Sequence, residues 1–448
     1  MDNIDNINKT SISKFLNMDV VDFANYSTVR AIASYLDGLK NSHRKVIHFI
    51  KDVPSNKEKR LFNLSGEIMT ATEYLHGDIS GSVVTLAQNF TGSNNISLLK
   101  REGNFGSRFT PEASATRYIY TTKEDYFDDI FLPIDNNILI EQEFEGKKIE
   151  PRFFLPSVPL ILVNGSEGIA TGFAQKILPR NTQTIKQYIK NYLNAEKTPD
   201  LKPSFNGFKG TIEKGENKNQ WIVKGEFIRK TKTEIIITEI PIGYNLSSYT
   251  KVLDKLEDDK IIKTYEDLSE NDEFKFKIKT DMKFSSYSDE EILDKLKLKK
   301  KITENFTVID ENNRVRVFNN AEELIQSYID IKIHYTNKRK EYLINKIKDD
   351  LHILASKYIF VDNVIKGNII VNNKKKTEIE EQLEKYEKII KKDDAYDYLL
   401  RMPIYTLTEE KVQDLHNSII QKKKDLDSIK SKSEKDLWLN DLEKIQKE

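Results

Sequence analysis

The stretch "EASATRYIYTTKED" (112–125) sets Arg117 directly before Tyr118, with Tyr120 two positions on. A phenol of pKa about 10 is a nucleophile only after losing its proton, and it is then a comparatively good leaving group. An adjacent arginine is always charged and offers a planar fork for bidentate contact with an oxyanion. Just ahead runs "KREGNFGSRF" (100–109), basic and glycine-bearing. Among 20 Tyr such a pair says little by itself, so its surroundings must decide.

The 448 residues leave room for two to four domains. Hydrophobic content of 38% supports real cores, while 32% charge with 17 Gly and 11 Pro points to much helix and few long loops. Lys+Arg and Asp+Glu are both 71, so a chain that met nucleic acid would have to segregate its positive charge locally. It does so. Lys40, Arg44, Lys45, Lys51, Lys57, Lys59 and Arg60 crowd one segment against only Asp52 and Glu58. The lack of cysteine excludes disulfides and thiolate metal sites. The opening "MDNIDNINKT" is unlike a signal or transit peptide, and no apolar run approaches a membrane span, so the expectation is a soluble intracellular protein.

Three textures follow one another. Residues 15 to 150 read as short helices with polar turns. "TVRAIASYLDGLK" has helical spacing at Val29, Ile32, Leu36 and Leu39. "DISGSVVTLAQNF" has Asp78 or Ser80 as a cap before Val83, Leu86, Ala87 and Phe90. From 151 the pattern is mixed α/β: "FFLPSVPLILVNG" as a buried strand, "WIVKGEFIRKTKTEIIITEIP" as two strands, and "EFKFKIKTDMKF" alternating about Phe274, Phe276 and Ile278. Beyond 320, Leu324 to Tyr358 and Val412 to Ile429 form two apolar stripes at spacings of three or four. They predict two long helices pairing antiparallel about a compact segment, 360–407. Their lysine-rich faces read as solvated surface.

Eight strings now stand in order: "DGLKNSHRKV" (37–46), "YLHGDISGSVVTLAQNFTGSNN" (74–95), "GNFGSRF" (103–109), "ASATRYIYT" (113–121), "LVNGSEGIATGFAQKILPRN" (162–181), "FKGTI" (208–212), "ITEIPIG" (237–243) and "LLRMPIYTLTEEKV" (399–412). Together they resemble the DNA breakage-reunion part of type II DNA topoisomerases, of A-subunit type. In length the chain looks most like the medium subunit of the T4-like bacteriophage enzyme. The resemblance implies an α+β multidomain fold. Its parts would be a winged-helix-like cleavage module (1–150), an α/β tower (151–320), a long coiled-coil helix (321–359), a small helical C-gate knob (360–407) and a returning helix (408–448).

It also implies roles. Tyr118, matching the family's "RY", would attack a DNA phosphodiester and form a 5′-phosphotyrosyl link, with Arg117 stabilising the developing charge. Arg44 and His76 would donate to phosphate oxygens or help deprotonate Tyr118. His43, Lys45 and Lys40 would line the phosphate, although Asn41 stands where the family has proline after "DGLK". Lys100, Arg101 and Arg108 would position phosphates, with Gly103 and Gly106 letting backbone approach DNA. Ile169 would wedge between base pairs and bend the duplex. The partners implied are double-stranded DNA, a second copy through 360–407, and a large ATPase/Toprim-type subunit.

The carboxylate cluster that would hold Mg²⁺ is missing, since "EDD" (257–259) and "KDD" (392–394) read as solvated faces, and there is no GxxxxGK[ST] loop. Mg²⁺ and ATP are therefore expected on the partner subunit, in a bacteriophage-infected cytoplasm. With no DNA-wrapping domain after the second helix, relaxation and decatenation are expected rather than supercoiling. Two rivals remain: a non-enzymatic DNA-bending, chromosome-organising protein, and a tyrosine recombinase. The first leaves Arg117–Tyr118 and Ile169 without a joint purpose; the motif order does not fit the second.

Overall fold

The computed structural model describes residues 11–445; the polar opening stretch and the last three residues lie outside the described residues. The chain divides into two compact units. Residues up to Ile331 together with those from Asp441 form one, and Lys332–Asn440 forms the other.

In the first unit, short helices carry the N-terminal third: Val20–Ala31, Asn41–Ile50, Leu61–Ala71 and Ser80–Ala87. Asp78 starts the last of these by accepting from the Ser80 N–H at 2.9 Å, an Asx turn ahead of the helix. The helix expected from Thr28 up to a turn at Gly38 is present only as far as Ala31. The Val20–Ala31 helix ends where "TVRAIASYLDGLK" begins to be buried, and Ser34 bridges in parallel to Ile309. Ile32, Ala33, Tyr35, Leu36 and Leu39 are all buried, so the apolar spacing reflects a segment enclosed on every side rather than one helix face. Gly38 makes this possible: at φ +69° it rests on the backbone of Leu160 and Ile161, where a Cβ would come within 2.5 Å of the Ile161 nitrogen.

"LILV", expected as strand, is a helical turn, Leu160–Val163, with all four side chains buried. A short fully apolar run carries no period, and Pro159 before it favours a helical start. "WIVKGEFIRKTKTEIIITEIP" makes three strands instead of two, Gln220–Lys224, Glu226–Thr231 and Glu234–Glu239. Gly225 divides the first pair because a Cβ there would sit 2.3 Å from the Glu239 carbonyl oxygen. Glu226–Thr231 and Glu234–Glu239 pair antiparallel, and Phe276–Lys279 continues that four-stranded sheet. Its buried face, Ile235, Ile237, Phe276 and Ile278, packs on Tyr249, Leu253 and Leu256 of the Leu246–Asp258 helix. That helix is opened by a capping box between Asn245 and Ser248.

A buried ion pair ties this region to the strands beside it. Arg180 and Glu304 are each about 1% exposed and meet through both guanidinium nitrogens at 2.6 and 2.7 Å. Glu304 also accepts from the Leu178 N–H and Trp221 Nε1, each at 2.8 Å.

In the second unit, the helix Ala321–Ile365 and the helix Glu409–Ser431 run antiparallel. Asp350 pairs with Lys422 at 2.9 Å, and the Tyr358 ring lies 6.0 Å from that of His416, so partners fall in number as the first helix rises. Between their ends a small core of Phe360, Val361, Leu383, Tyr396 and Leu399 closes against Leu415. No helix of the described residues is long and apolar enough to cross a membrane.

Candidate functional site

Tyr118 stands out from its surroundings, 68% exposed, on a turn that follows Thr116 and Arg117. Five backbone hydrogen bonds and a short ladder hold that turn. The Tyr118 N–H donates to Ala115 O at 2.9 Å. The Leu61 N–H donates to Ile119 O at 2.9 Å and the Phe62 N–H to Thr116 O at 3.2 Å, so the Leu61–Ala71 helix begins on both flanks of the tyrosine. Glu102 and Tyr120 exchange both backbone hydrogen bonds, at 3.1 and 2.9 Å. Finally Lys59–Arg60 pairs with Tyr120–Thr121 in a short antiparallel ladder. The nucleophile candidate is thus exposed on a fixed backbone. That is what a reacting group needs.

Arg117 is exposed, with its guanidinium 5.7 Å from the Tyr118 ring centre. Tyr120 differs: its hydroxyl accepts from Arg60, while no hydrogen bond reaches the Tyr118 hydroxyl among the described residues. Gly103 and Gly106 shape this backbone. Both have φ +93°, and a Cβ on Gly103 would lie 3.2 Å from Tyr118 O while one on Gly106 would lie 2.4 Å from Pro111 O.

Three expected phosphate ligands are turned inward. Arg44 is buried and forks onto Asp37, Nε to Oδ2 at 2.7 Å and Nη2 to Oδ1 at 3.1 Å, with Leu39 O as a further acceptor. Burial disfavours its charge, but Asp37 outweighs that and holds the guanidinium above its ordinary value. Asp37 also accepts the Phe154 N–H at 3.0 Å. Lys45 is buried against Glu150 at 2.9 Å and donates to Thr72 O at 2.6 Å. Arg108 is buried with Glu239 and donates to Ile240 O at 2.6 Å; burial pushes it down and Glu239 opposes this. A buried charge must be paired within the chain, and these three are. Each is held by an acid of the same chain.

The other basic residues are distributed outside that core. Lys100 donates to Asp125 at 2.7 Å, which raises it above its ordinary value. Arg101 is exposed, without an ion pair among the described residues. Asn41, where the family has proline, is the first residue of the Asn41–Ile50 helix, so no loose turn precedes His43. His43 and Lys40 line a cleft of about 790 Å³ together with Lys176 and Lys300. Burial, then Lys40 and Arg44, pushes the His43 imidazole down to about 4; burial also lowers Lys40. His76 is exposed, and its ring nitrogens meet the Tyr26 hydroxyl, with 3.2 Å to Nδ1 and a closer approach to Nε2. No hydrogen bond joins it to Tyr118 among the described residues.

Ile169 ends the strand Ser166–Ile169, which turns back into Ala174–Ile177. It is 82% exposed at the tip of that hairpin. Gly168 lets the hairpin lie on the end of the Val20–Ala31 helix, for its Cβ would fall 2.1 Å from Ala31 O. Gln175 adds hydrogen bonds to Ala33 and Thr307.

Among the described residues no group of three or more His, Asp or Glu side chains could hold a metal ion. The residues present do not fit a Mg²⁺ site, and no step below passes through one.

The family profile for the A subunit of DNA gyrase/topoisomerase IV matches residues 30–443. The chain belongs to this family. Its relatives include the DNA topoisomerase 2 of Plasmodium falciparum, 32% identical across 96% of this chain and 34% of that protein. They also include DNA topoisomerase 2 of Arabidopsis thaliana, 30% identical across 98% and 33%, and that of Acanthamoeba polyphaga mimivirus, 29% identical across 98% and 41%. The solved structure of the Plasmodium falciparum topoisomerase II DNA-binding, cleavage and re-ligation domain superposes with a TM-score of 0.88 at 32% identity. It covers 96% of this chain and 63% of that one. The mixed α+β architecture is thus the family's. The chain spans about a third of the length of the first of the curated relatives it matches.

The motif strings turn out to be the joints of this unit. Asn95 of one string holds Arg180 O and Ser204 O, Asn164 of another exchanges hydrogen bonds with Ile96, and Arg108 meets Glu239. Sequence reasoning missed Asp37, Glu150, Glu239 and Glu304 as the partners of the buried cations. Asp37 and Glu239 do lie within quoted strings, and for Asp37 an acid beside basic residues in its motif was the available signal. Arg60 showed only as one of a basic cluster, and Phe62, whose N–H helps fix the backbone around Tyr118, carried no signal of its own.

Proposed function

We propose that this chain cuts and rejoins DNA as the breakage-reunion part of a type II topoisomerase. Exposed Tyr118, on a turn fixed from three sides and with Arg117 over its ring, is the observation that carries the reading. The Tyr118 oxygen forms a bond to the scissile phosphorus, the bond from phosphorus to the 3′ oxygen breaks, and the tyrosine's proton passes to that 3′ hydroxyl. The 5′ end stays esterified to the protein. The same atoms reverse the step on rejoining, so the exchange of one phosphodiester for another needs no outside energy. Arg117 stabilises the added charge on the phosphoryl oxygens, and His76, once released from Tyr26, is the base within the chain.

In this reading the helical N-terminal part acts as a winged-helix-like module, and the paired long helices form a coiled coil. The knob joins two copies as an exit gate, each copy cutting one strand. Exposed Ile404 and Tyr405 on the knob support that junction. The ATPase and the Mg²⁺-binding groups sit on a large partner subunit, as in the T4-like bacteriophage enzyme, and the assembly works in the cytoplasm of the infected host.

The test is trapping with denaturant in the enzyme reconstituted with its partner. Wild type and Tyr120→Phe should leave a covalent protein–DNA adduct, and Tyr118→Phe none. Mass spectrometry should find the nucleotide on the peptide spanning 112–125. Adducts that survive Tyr118→Phe would overturn the assignment. The purified chain alone should neither relax DNA nor hydrolyse ATP.

A further inference from the structure

Phe62 is 67% exposed, although it belongs to a helix whose Leu61, Leu64 and Ile68 are completely buried. A single exposed apolar residue is ordinary; its position here is not. The Phe62 N–H is the one that donates to Thr116 O, and the neighbouring Leu61 N–H donates to Ile119 O, so Phe62 sits against the turn that carries Tyr118. Two exposed aromatic side chains therefore share one small edge of the protein. Arg117, on the same turn, has no ion pair among the described residues, and neither does Arg101, next to the Glu102–Tyr120 bridge. Aromatic faces flanked by unneutralised arginines are what a nucleic acid contacts with its bases and its phosphates together. Among the described residues no aromatic ring packs on Phe62, and nothing in the chemistry proposed above uses it.

We propose that Phe62 lays its ring on a base or sugar edge next to the bond that Tyr118 cuts, and so sets which sequences are cut. The inference rests on the proposed function. Phosphate contacts supply affinity without sequence information, whereas a ring placed against one base step discriminates by stacking and by how easily that step deforms. Loss of the ring should alter choice more than strength.

The test is selection from a random-sequence duplex DNA pool by the purified full chain, comparing wild type, Phe62→Ala and Phe62→Tyr. Wild type should enrich a preference at one or two adjacent base pairs by about tenfold, the scale of one disfavoured base pair in a bound site. Phe62→Ala should lose that preference with total affinity within about threefold and an unchanged salt dependence, since the phosphate contacts remain. Phe62→Tyr should keep it. Circular dichroism checks that the exposed substitution leaves the fold intact. If Phe62→Ala enriches the same positions as wild type, or wild type enriches none, the inference is wrong while the cleavage reading stands. If wild type binds no duplex at all, both fall.

Discussion

Arg60 donates to the Tyr120 hydroxyl from Nη2 at 2.9 Å and from Nε at 3.2 Å, with its guanidinium 5.5 Å from the same ring. The two residues also face each other across the Lys59–Arg60 and Tyr120–Thr121 ladder. Of these two neighbouring tyrosines, Tyr120 has its hydroxyl committed, and the Tyr118 hydroxyl meets no partner among the described residues. The committed one latches the strand that leaves the reacting turn.

Removing the latch should therefore be felt at Tyr118. Arg60→Ala is expected to lower DNA cleavage by about tenfold, as expected when a reacting group loses its fixed geometry. The thermal midpoint should drop only slightly. Tyr120→Phe loses both of the hydrogen bonds from Arg60, about 1 kcal/mol each, and should keep most cleavage. Equal cleavage by Arg60→Ala and wild type in the reconstituted enzyme would show that the latch does not position the nucleophile.

The buried pair of Arg180 and Glu304 makes a stability prediction with little bearing on chemistry. Glu304→Ala leaves Arg180 charged and buried, and also strands the Leu178 N–H and Trp221 Nε1. The expected cost is about 3–5 kcal/mol. Trp221 fluorescence during urea unfolding reads this locally. An unchanged midpoint would mean that solvent reaches the pair.

What the sequence made legible follows from which signals are local. The pairing of the long helices could be read because one face repeats over many turns, and the Tyr118 motif because its residue types are unusual together. That Arg44, Lys45 and Arg108 are buried was not legible, because charge in a sequence says nothing of direction. Their acids lie 7, 105 and about 130 positions away, and only folding shows that these cations point inward. The segment 32–39 was misread as helix for a related reason. Burial on all sides produces apolar residues at any spacing, and the bridge from Ser34 to Ile309 is invisible to a local pattern. Phe62 is silent for the opposite reason, since an exposed apolar side chain leaves no periodic mark.

Acid should weaken the first unit through two histidines. Burial pushes both His43 and His48 down to about 4, from an ordinary value of 6.5, and His48 Nδ1 has no hydrogen-bond partner among the described residues. The folded form thus resists protonation that the unfolded chain accepts. Stability is complete above about pH 6.5 and is lost as pH falls from there towards 4. The loss should be on the order of 1 kcal/mol apiece. Thermal melts between pH 7 and pH 4.5 measure it, and His48→Gln should flatten the slope. A slope identical in that variant would remove His48 from the account.

The hairpin that carries Ile169 separates a contact with DNA from the support of that contact. Ile169→Ala removes an exposed side chain from the tip, so the thermal midpoint should not move. If the side chain wedges between bases, DNA bending should nonetheless be lost, because a wedge opens a base step at a cost of a few kcal/mol that a methyl group cannot sustain. Gly168→Ala acts differently. Its added carbon would fall 2.1 Å from Ala31 O, so either the hairpin or the end of the Val20–Ala31 helix must shift. Bending should fall and the midpoint with it, by about 1–3 kcal/mol as for other overpacked positions. Energy transfer between dyes at the ends of a short duplex reads the bend, and calorimetry reads the fold. If Ile169→Ala bends DNA as well as wild type does, the tip is no wedge. Loss of bending in Gly168→Ala alone would then assign the bend to the hairpin backbone.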